Sequence, residues 1–313
     1  MQTKRKKYWP IVVTVLTLVI IGLYLRSQHQ LLKSLEQISF VAIVYLLALQ
    51  LSFMAVNGLF LREFAAKFEI HLTLKEWFGL SVVTTMGNYI TPLSGGMIAR
   101  AAYLKQKHAF PYAQFATLLA SNYLVNFWVI GVVGLLVLLT FGETVSAFWQ
   151  VLVFFAAIVV VISTLILFPP KRLPWDNRVA QVLNTSLVGW GLIKSDLLLL
   201  AKLAIYTLVN ILLSGLSFWV AYDAVGSPTS FRAALLVSLL ASFSILIKVT
   251  PGNLGIQEAV VSLSSGLLGT GVEQGFLVAL LIRAATLAWA FTLGPVFSLL
   301  LTQKVIEPNG EES

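Results

Sequence analysis

Thr250-Pro251-Gly252-Asn253-Leu254-Gly255-Ile256-Gln257-Glu258 interrupts an otherwise apolar stretch. The apolar run Phe231 to Ile247 precedes it, and the run Ala259 to Leu268 follows. Pro251 lacks a backbone donor, and Gly252 and Gly255 accept conformations that other residues avoid. An apolar helix is therefore expected to break here and to restart at about Gly255. Glu258 brings a carboxylate into surroundings with almost no other charge. About half the chain earlier, Thr91-Pro92-Leu93-Ser94-Gly95-Gly96-Met97-Ile98-Ala99-Arg100 follows the apolar run Trp77 to Ile90. Laid over each other, Thr91 matches Thr250, Pro92 matches Pro251 and Gly96 matches Gly255. The dipeptide Thr-Pro occurs only at these two points. We read an internal repeat. Apolar segments interrupted by Gly and Pro at corresponding points of two halves are the sequence pointer to a transporter's binding site.

Composition points the same way. The 313 residues are 58% hydrophobic and 11% charged, where a soluble domain is about a quarter charged. The mean hydropathy is +0.89. The expected fold is all-α and polytopic, a single integral membrane domain over 1–313 with no soluble part. With no cysteine, disulfides, thiol catalysis and thiolate metal sites are excluded. His29, His71 and His108 are scattered and read as ordinary residues near the membrane surface. The net charge of +8 does not indicate nucleic acid, because the basic residues sit mostly at the ends of apolar runs.

Taken in order, the chain opens with Lys4-Arg5-Lys6-Lys7, then Tyr8-Trp9 and an apolar run to Leu25. The run is too long for a signal peptide and has no small-residue cleavage site, so it is expected to be an uncleaved first span. Further full spans are expected near Phe40–Leu61, Ala113–Phe141, Phe148–Phe168, Leu197–Tyr222 and Phe276–Leu301. The broken segments occupy Trp77 to Leu104 and Phe231 to Leu268. Pro169-Pro170-Lys171-Arg172 ends the fourth span. Residues 176–194 then carry apolar positions at helical spacing and are expected to lie in the interface. That helix would link two pseudo-repeat halves, roughly 40–168 and 197–301.

Charge distribution gives orientation. Suppose each broken segment is a re-entrant hairpin that enters and leaves on one side. Six full spans plus two hairpins, eight helical membrane segments in all, then put both termini in the cytoplasm of a cell (inner) membrane. The basic loops 62–76, 100–112 and 169–196 fall inside. The loops 142–147, 223–230 and 269–275, poor in Lys and Arg, fall outside. The loop 26–39, with Arg26 and Lys33, fits least well. In this arrangement the hairpins enter from opposite faces, as inverted repeats do. A plain eight-span alternative would export Lys105 and Lys107.

Four charges fall within apolar stretches: Arg100, Lys248, Glu258 and Arg283. Each costs about 2.5–3.5 kcal/mol at a helix centre on the insertion scale. The bland reading pairs Glu258 with Lys248 or Arg283 to hold helices together. Three cations against one carboxylate, however, leave charge that an anionic visitor would balance. Helix restarts near Gly96 and Gly255 also present free N–H groups that favour anions. The candidate substrate-binding set is Arg100, Lys248, Glu258, Arg283, Asn253 and Gln257. The helix-break set is Pro92, Gly95, Gly96, Pro251, Gly252 and Gly255. Asn88, Asn122, Asn126 and Asn210 are further polar residues in apolar runs, each of which could equally join helices. No nucleotide-binding loop, zinc-protease motif or serine-hydrolase elbow is present, and no carboxylate pair falls within the apolar stretches, so no catalytic residue, metal or cofactor is assigned, and the chain is not expected to be an enzyme.

Thr91-Pro92-x-x-Gly95-Gly96 with Arg100, and Pro251-Gly252-Asn253-Leu254-Gly255-Ile256-x-Glu258, together with the span pattern, resemble the transmembrane domain of the lysylphosphatidylglycerol synthase/flippase family, the flippase-like inner membrane proteins. The resemblance covers nearly the whole chain. It departs from the usual second motif in carrying Asn253 where glycine is common. Longer family members add a soluble aminoacyl-transfer domain after the membrane part. This chain ends at Ser313, so the resemblance implies translocation of a lipid rather than its synthesis. The implied partners are membrane lipids with an anionic headgroup, a phospholipid or a polyprenyl phosphate, with oligomeric state open. A membrane-embedded glycosyltransferase, or an accessory protein of envelope lipid or glycan synthesis, is the alternative.

Overall fold

A computed structural model of the chain describes residues 38–91, 94–142, 148–168, 184, 190–191, 194–247 and 250–306, the last four by backbone alone. The expected first span, most of the expected interfacial helix, and Pro92 and Lys248 lie outside the described residues. The described residues are mostly helical, and no strand occurs among them. The helices are α1 (Phe40–Ala66), α2 (Leu74–Ile90), α3 (Gly95–His108), α4 (Tyr112–Leu139), α5 (Trp149–Leu167), α6 (Leu197–Ala224), α7 (Phe231–Ser242), α8 (Ile256–Leu267) and α9 (Val272–Ile306). Short 3-10 turns cover Phe243–Leu246 and Pro251–Asn253.

Among the described residues, five helices, α1, α4, α5, α6 and α9, are long and apolar enough to cross a membrane. They coincide with the second to sixth expected spans. Their outer faces stay apolar: Val160 on α5 is 64% exposed and Leu198 on α6 is 69% exposed. Such surface is stable against hydrocarbon and not against water. The chain is a multi-pass membrane protein.

The other four helices are short. α2 and α3 contain 17 and 14 residues, and α7 and α8 contain 12 each. At 1.5 Å per residue they reach about 26, 21, 18 and 18 Å, against about 30 Å of hydrocarbon. The breaks between them fall where the sequence puts its Pro and Gly.

By packing, the chain divides into two compact units. One takes its described residues from Met1–Met54, Leu80–Ala99 and Leu212–Leu299. Its core joins Leu46 of α1, Phe218, Ala221 and Tyr222 of α6, Ala234 and Val237 of α7, Val261 of α8, and Val278 and Ile282 of α9. Ala221, Ala234, Ala241, Ala279 and Ala285 in this core let helices approach closely where no hydrophobic force drives them together. Polar pairs add to this. Gln50 donates to Ser217 (3.1 Å), and Thr286 donates to Gln50 (3.2 Å).

The second unit takes its described residues from Ala55–Gly79, Arg100–Ile211 and Leu300–Ser313. Here α4 and α5 pack along glycine. A Cβ on Gly134 would stand 2.7 Å from the Phe155 ring, and one on Gly131 would stand 2.8 Å from Val159. The Trp128 indole donates to Ser163 (3.0 Å), closing the same pair of helices.

Candidate functional site

The second break is built from consecutive left-handed residues. Gly252 has φ 59° and Asn253 has φ 58°, and Gly255 restarts the helix from φ 85°. Glycine meets no Cβ penalty there, and asparagine tolerates it better than most residues. Two side-chain bonds hold the turn: the Thr250 hydroxyl donates to Leu254 O (2.8 Å), and the Asn253 amide donates to Ser244 O (2.8 Å).

Glu258, in the first turn of α8, reaches back and accepts from the Gly255 N–H (2.7 Å). That satisfies one orphan donor of the helix start and puts a negative charge at the positive end of its dipole. The other carboxylate oxygen accepts from Arg283 Nε of α9. Arg283 also donates to the main-chain oxygens of Gly252 (2.7 Å) and Asn253 (3.5 Å) and to Gln257 Oε1 (3.4 Å). Glu258 is 1% and Arg283 6% exposed. One guanidinium thus serves a carboxylate and the carbonyls that the broken helix leaves open.

The first break meets the second. Tyr89, near the end of α2, lies with its ring over Gly252, so that a Cβ there would overlap ring carbons Cδ1 and Cε1. The Arg283 guanidinium carbon stands 5.5 Å from the same ring. At the first break the chain folds back tightly. A Cβ on Gly87 would stand 2.7 Å from Gly96 Cα, and one on Gly96 would overlap the Thr84 carbonyl oxygen. Thr91 closes the end of α2 by donating to Gly87 O through both its N–H (3.0 Å) and its hydroxyl (2.6 Å). Gly95 faces Thr91.

Of the expected site residues, the structure therefore brings Glu258, Arg283, Gln257 and Asn253 together at one break. Gly252 and Gly255 carry its conformation, and Pro251 opens its 3-10 turn. Arg100 lies partly buried on α3. Asn210 of α6 donates to Asn57 of α1 (3.4 Å), which joins two helices. Asn122 and Asn126 lie partly buried on α4.

Sequence reasoning missed two features. Tyr89 gave no signal, because its partners are distant in sequence. A second buried carboxylate, Glu76 at 3% exposure, had a readable one. Thr73-Leu74-Lys75-Glu76 is a capping box at the start of α2. The Thr73 N–H and hydroxyl both donate to Glu76 (2.9 and 2.8 Å). Tyr103 (3.0 Å), Lys107 (2.9 Å) and His108 (3.0 Å), at the far end of α3, converge on its other oxygen. Burial pushes this carboxyl up. Lys107, the two Thr73 donors and His108 outweigh it and hold the pKa down to about 2. The start of α2 and the end of α3 are thereby stapled together.

A model of the family described as the lysylphosphatidylglycerol synthase TM region matches residues 9–294. No curated protein and no solved structure matches the chain.

Proposed function

The chain belongs to the lysylphosphatidylglycerol synthase transmembrane-region family, and on that premise we propose that it is a flippase for an anionic phospholipid or polyprenyl phosphate. Membership makes it a membrane protein of lipid metabolism or translocation; the transport step is our reading. It rests above all on the meeting of two broken helix pairs around a buried ion pair, at Tyr89, Gly252, Glu258 and Arg283. Interrupted helices that expose backbone groups at membrane depth are tolerated where protein or a cavity surrounds them, and transporters bind their substrates there.

In this proposal α2–α3 and α7–α8 are re-entrant hairpins, each too short to cross alone. The first enters from the cytoplasm and the second from outside, as inverted repeats of the halves 40–168 and 197–301. Both termini are cytoplasmic in an inner membrane. The lipid phosphate competes with Glu258 for Arg283, whose guanidinium matches phosphate oxygens in pairs. Arg100 and Lys248 are assigned to headgroup attraction on their sequence setting alone.

The test uses purified protein in vesicles carrying fluorescent phosphatidylglycerol in both leaflets. External dithionite bleaches about half of the dye in protein-free vesicles. The protein is expected to expose most of the remainder, and Glu258→Gln is expected to slow that exposure. Bleaching that stops at the protein-free level with lipids co-purified from the native membrane would refute flippase activity.

A further inference from the structure

Glu258, Ser262 and Ser265 form one stripe of α8, each about 5–6 Å from the next at Cβ by helical spacing. The helix α9 lies along that stripe. Arg283 of α9 meets Glu258. Gly275, about two turns earlier on α9, meets the serines: a Cβ there would overlap Ser265 Oγ and stand 3.0 Å from Ser262 Cα. These contacts bracket Ser262, which therefore lies on the seam between the ion pair and Ser265. Ser262 is 8% exposed, and its Oγ is shut off from solvent with no hydrogen-bond partner among the described residues. Buried polar atoms are nearly always paired, and an exception calls for a reason. Gly275 and buried Ala279, on the α9 side of the seam, offer it neither a polar group nor bulk. From Ser265 a chain of hydroxyls runs on. The Ser265 hydroxyl donates to Val261 O (2.6 Å), so the Tyr222 hydroxyl of α6 donates to Ser265 Oγ. The Thr270 hydroxyl stands 3.2 Å from the Tyr222 hydroxyl and 3.1 Å from Ser265 O. Tyr222 and Ser265 are fully buried. Thr270 is half-buried, in the turn that leads into α9, beside exposed Gly269, Val272 and Glu273. The polar track thus reaches the surface at Thr270 and runs inward toward Glu258.

Charge balance gives such a track a use. A phosphate that takes Arg283 leaves the Glu258 carboxylate buried and unmatched, which is strongly unfavourable unless a proton neutralises it. The titratable side chains that face Glu258 are Arg283 from α9 and Tyr89 from α2. Arg283 keeps its proton to hold the phosphate, and a phenolate at Tyr89 would only exchange one buried anion for another. The proton must therefore come from water. We propose that Glu258 takes up a proton whenever a phosphate binds, delivered from the turn at Thr270 through Tyr222, Ser265 and a water held by Ser262. The inference rests on the flippase reading and adds the proton to it. Each hydroxyl accepts a proton from the Thr270 side and passes its own inward, and the last adds to a Glu258 carboxylate oxygen as the bond to Arg283 opens. Anion and proton enter together, so the buried site gains no net charge. When the lipid leaves, the proton returns and the ion pair re-forms.

The test mixes full-length protein, in weakly buffered detergent near neutral pH, with short-chain phosphatidylglycerol in a stopped-flow instrument. A pH indicator dye follows protons and tryptophan emission follows binding. Wild type is expected to take up about one proton per lipid bound, in step with binding, and Glu258→Gln is expected to take up none. Ser262→Ala and Tyr222→Phe each interrupt the track without touching the ion pair. They are expected to bind as much lipid and to take up the same proton about tenfold more slowly, the worth of one lost hydrogen bond. Lipid bound by wild type without proton uptake overturns the inference and leaves the flippase reading standing. Uptake by Glu258→Gln equal to that of wild type overturns the choice of Glu258. Uptake at the wild-type rate by both Ser262→Ala and Tyr222→Phe overturns the path. Binding of no lipid by wild type overturns the reading that the inference rests on, and the inference with it.

Discussion

Glu258→Gln preserves an acceptor for the Gly255 N–H but leaves Arg283 without a counter-charge. Arg283 is 6% exposed and cannot turn to water. Removing one partner of a buried pair costs about 3–5 kcal/mol. For a chain of this size, each kcal/mol lowers the melting temperature by about 2 °C, so a fall of about 6–10 °C is expected. Arg283→Gln should cost a similar amount, because it strands Glu258 and the Gly252 carbonyl together. The double variant has no unpaired charge. Its loss should fall short of the sum of the singles by about 2–3 kcal/mol, the remaining cost being the carbonyls left open. Thermal unfolding of the four proteins in one detergent, followed by tryptophan emission, measures the cycle. Strictly additive losses, or singles that melt with wild type, would refute the view that this ion pair holds the second break.

Other outcomes follow from the same geometry. Gly252→Ala combines a left-handed backbone with a clash on Tyr89 and should cost about 2–4 kcal/mol; adding Tyr89→Ala should restore part of it, and a further loss would show that the ring is not the obstacle. Cysteines placed singly at Lys105 and Val272 should react with an impermeant thiol reagent from opposite sides of sealed vesicles, and labelling of both from outside would defeat the hairpin topology. The Glu76 carboxyl is held down to about 2 from its ordinary value of 4.5, so its stabilisation is fully present above about pH 4.5 and is lost as pH falls toward 2. After allowance for screening at the membrane edge, this amounts to about 1–2 kcal/mol. Wild type should therefore lose melting temperature between pH 5 and pH 3, and Glu76→Gln should lose less over that interval; parallel slopes would sink the staple.

Much of the fold was legible because the bilayer imposes simple demands. A helix needs length and apolarity to cross, and α1, α4, α5, α6 and α9 declare both in sequence. Breaks need a residue that stops a helix or accepts a left-handed backbone, and Pro251, Gly252 and Gly255 marked the second one in sequence. The Glu258–Arg283 pair was readable as one of two possible pairings, since both lie in apolar runs. What remained hidden depends on partners brought from afar. Nothing local distinguishes Tyr89 as the ring that lies on Gly252. Nor does His108 announce that it converges with Lys107 and Tyr103 on Glu76, although the capping box there was open to reading.

The two breaks also differ in when they can form during synthesis. The first closes on itself: Thr91 satisfies Gly87 four residues back, so the turn can settle as soon as it leaves the ribosome. The second depends on Arg283, which lies 31 residues beyond Gly252. At about 5–20 residues per second, its open carbonyls wait about 2–6 seconds for their donor. Release of α7 and α8 into lipid before α9 arrives would strand those carbonyls in hydrocarbon. A stop codon placed between α8 and α9 should therefore yield a fragment that is degraded rather than inserted.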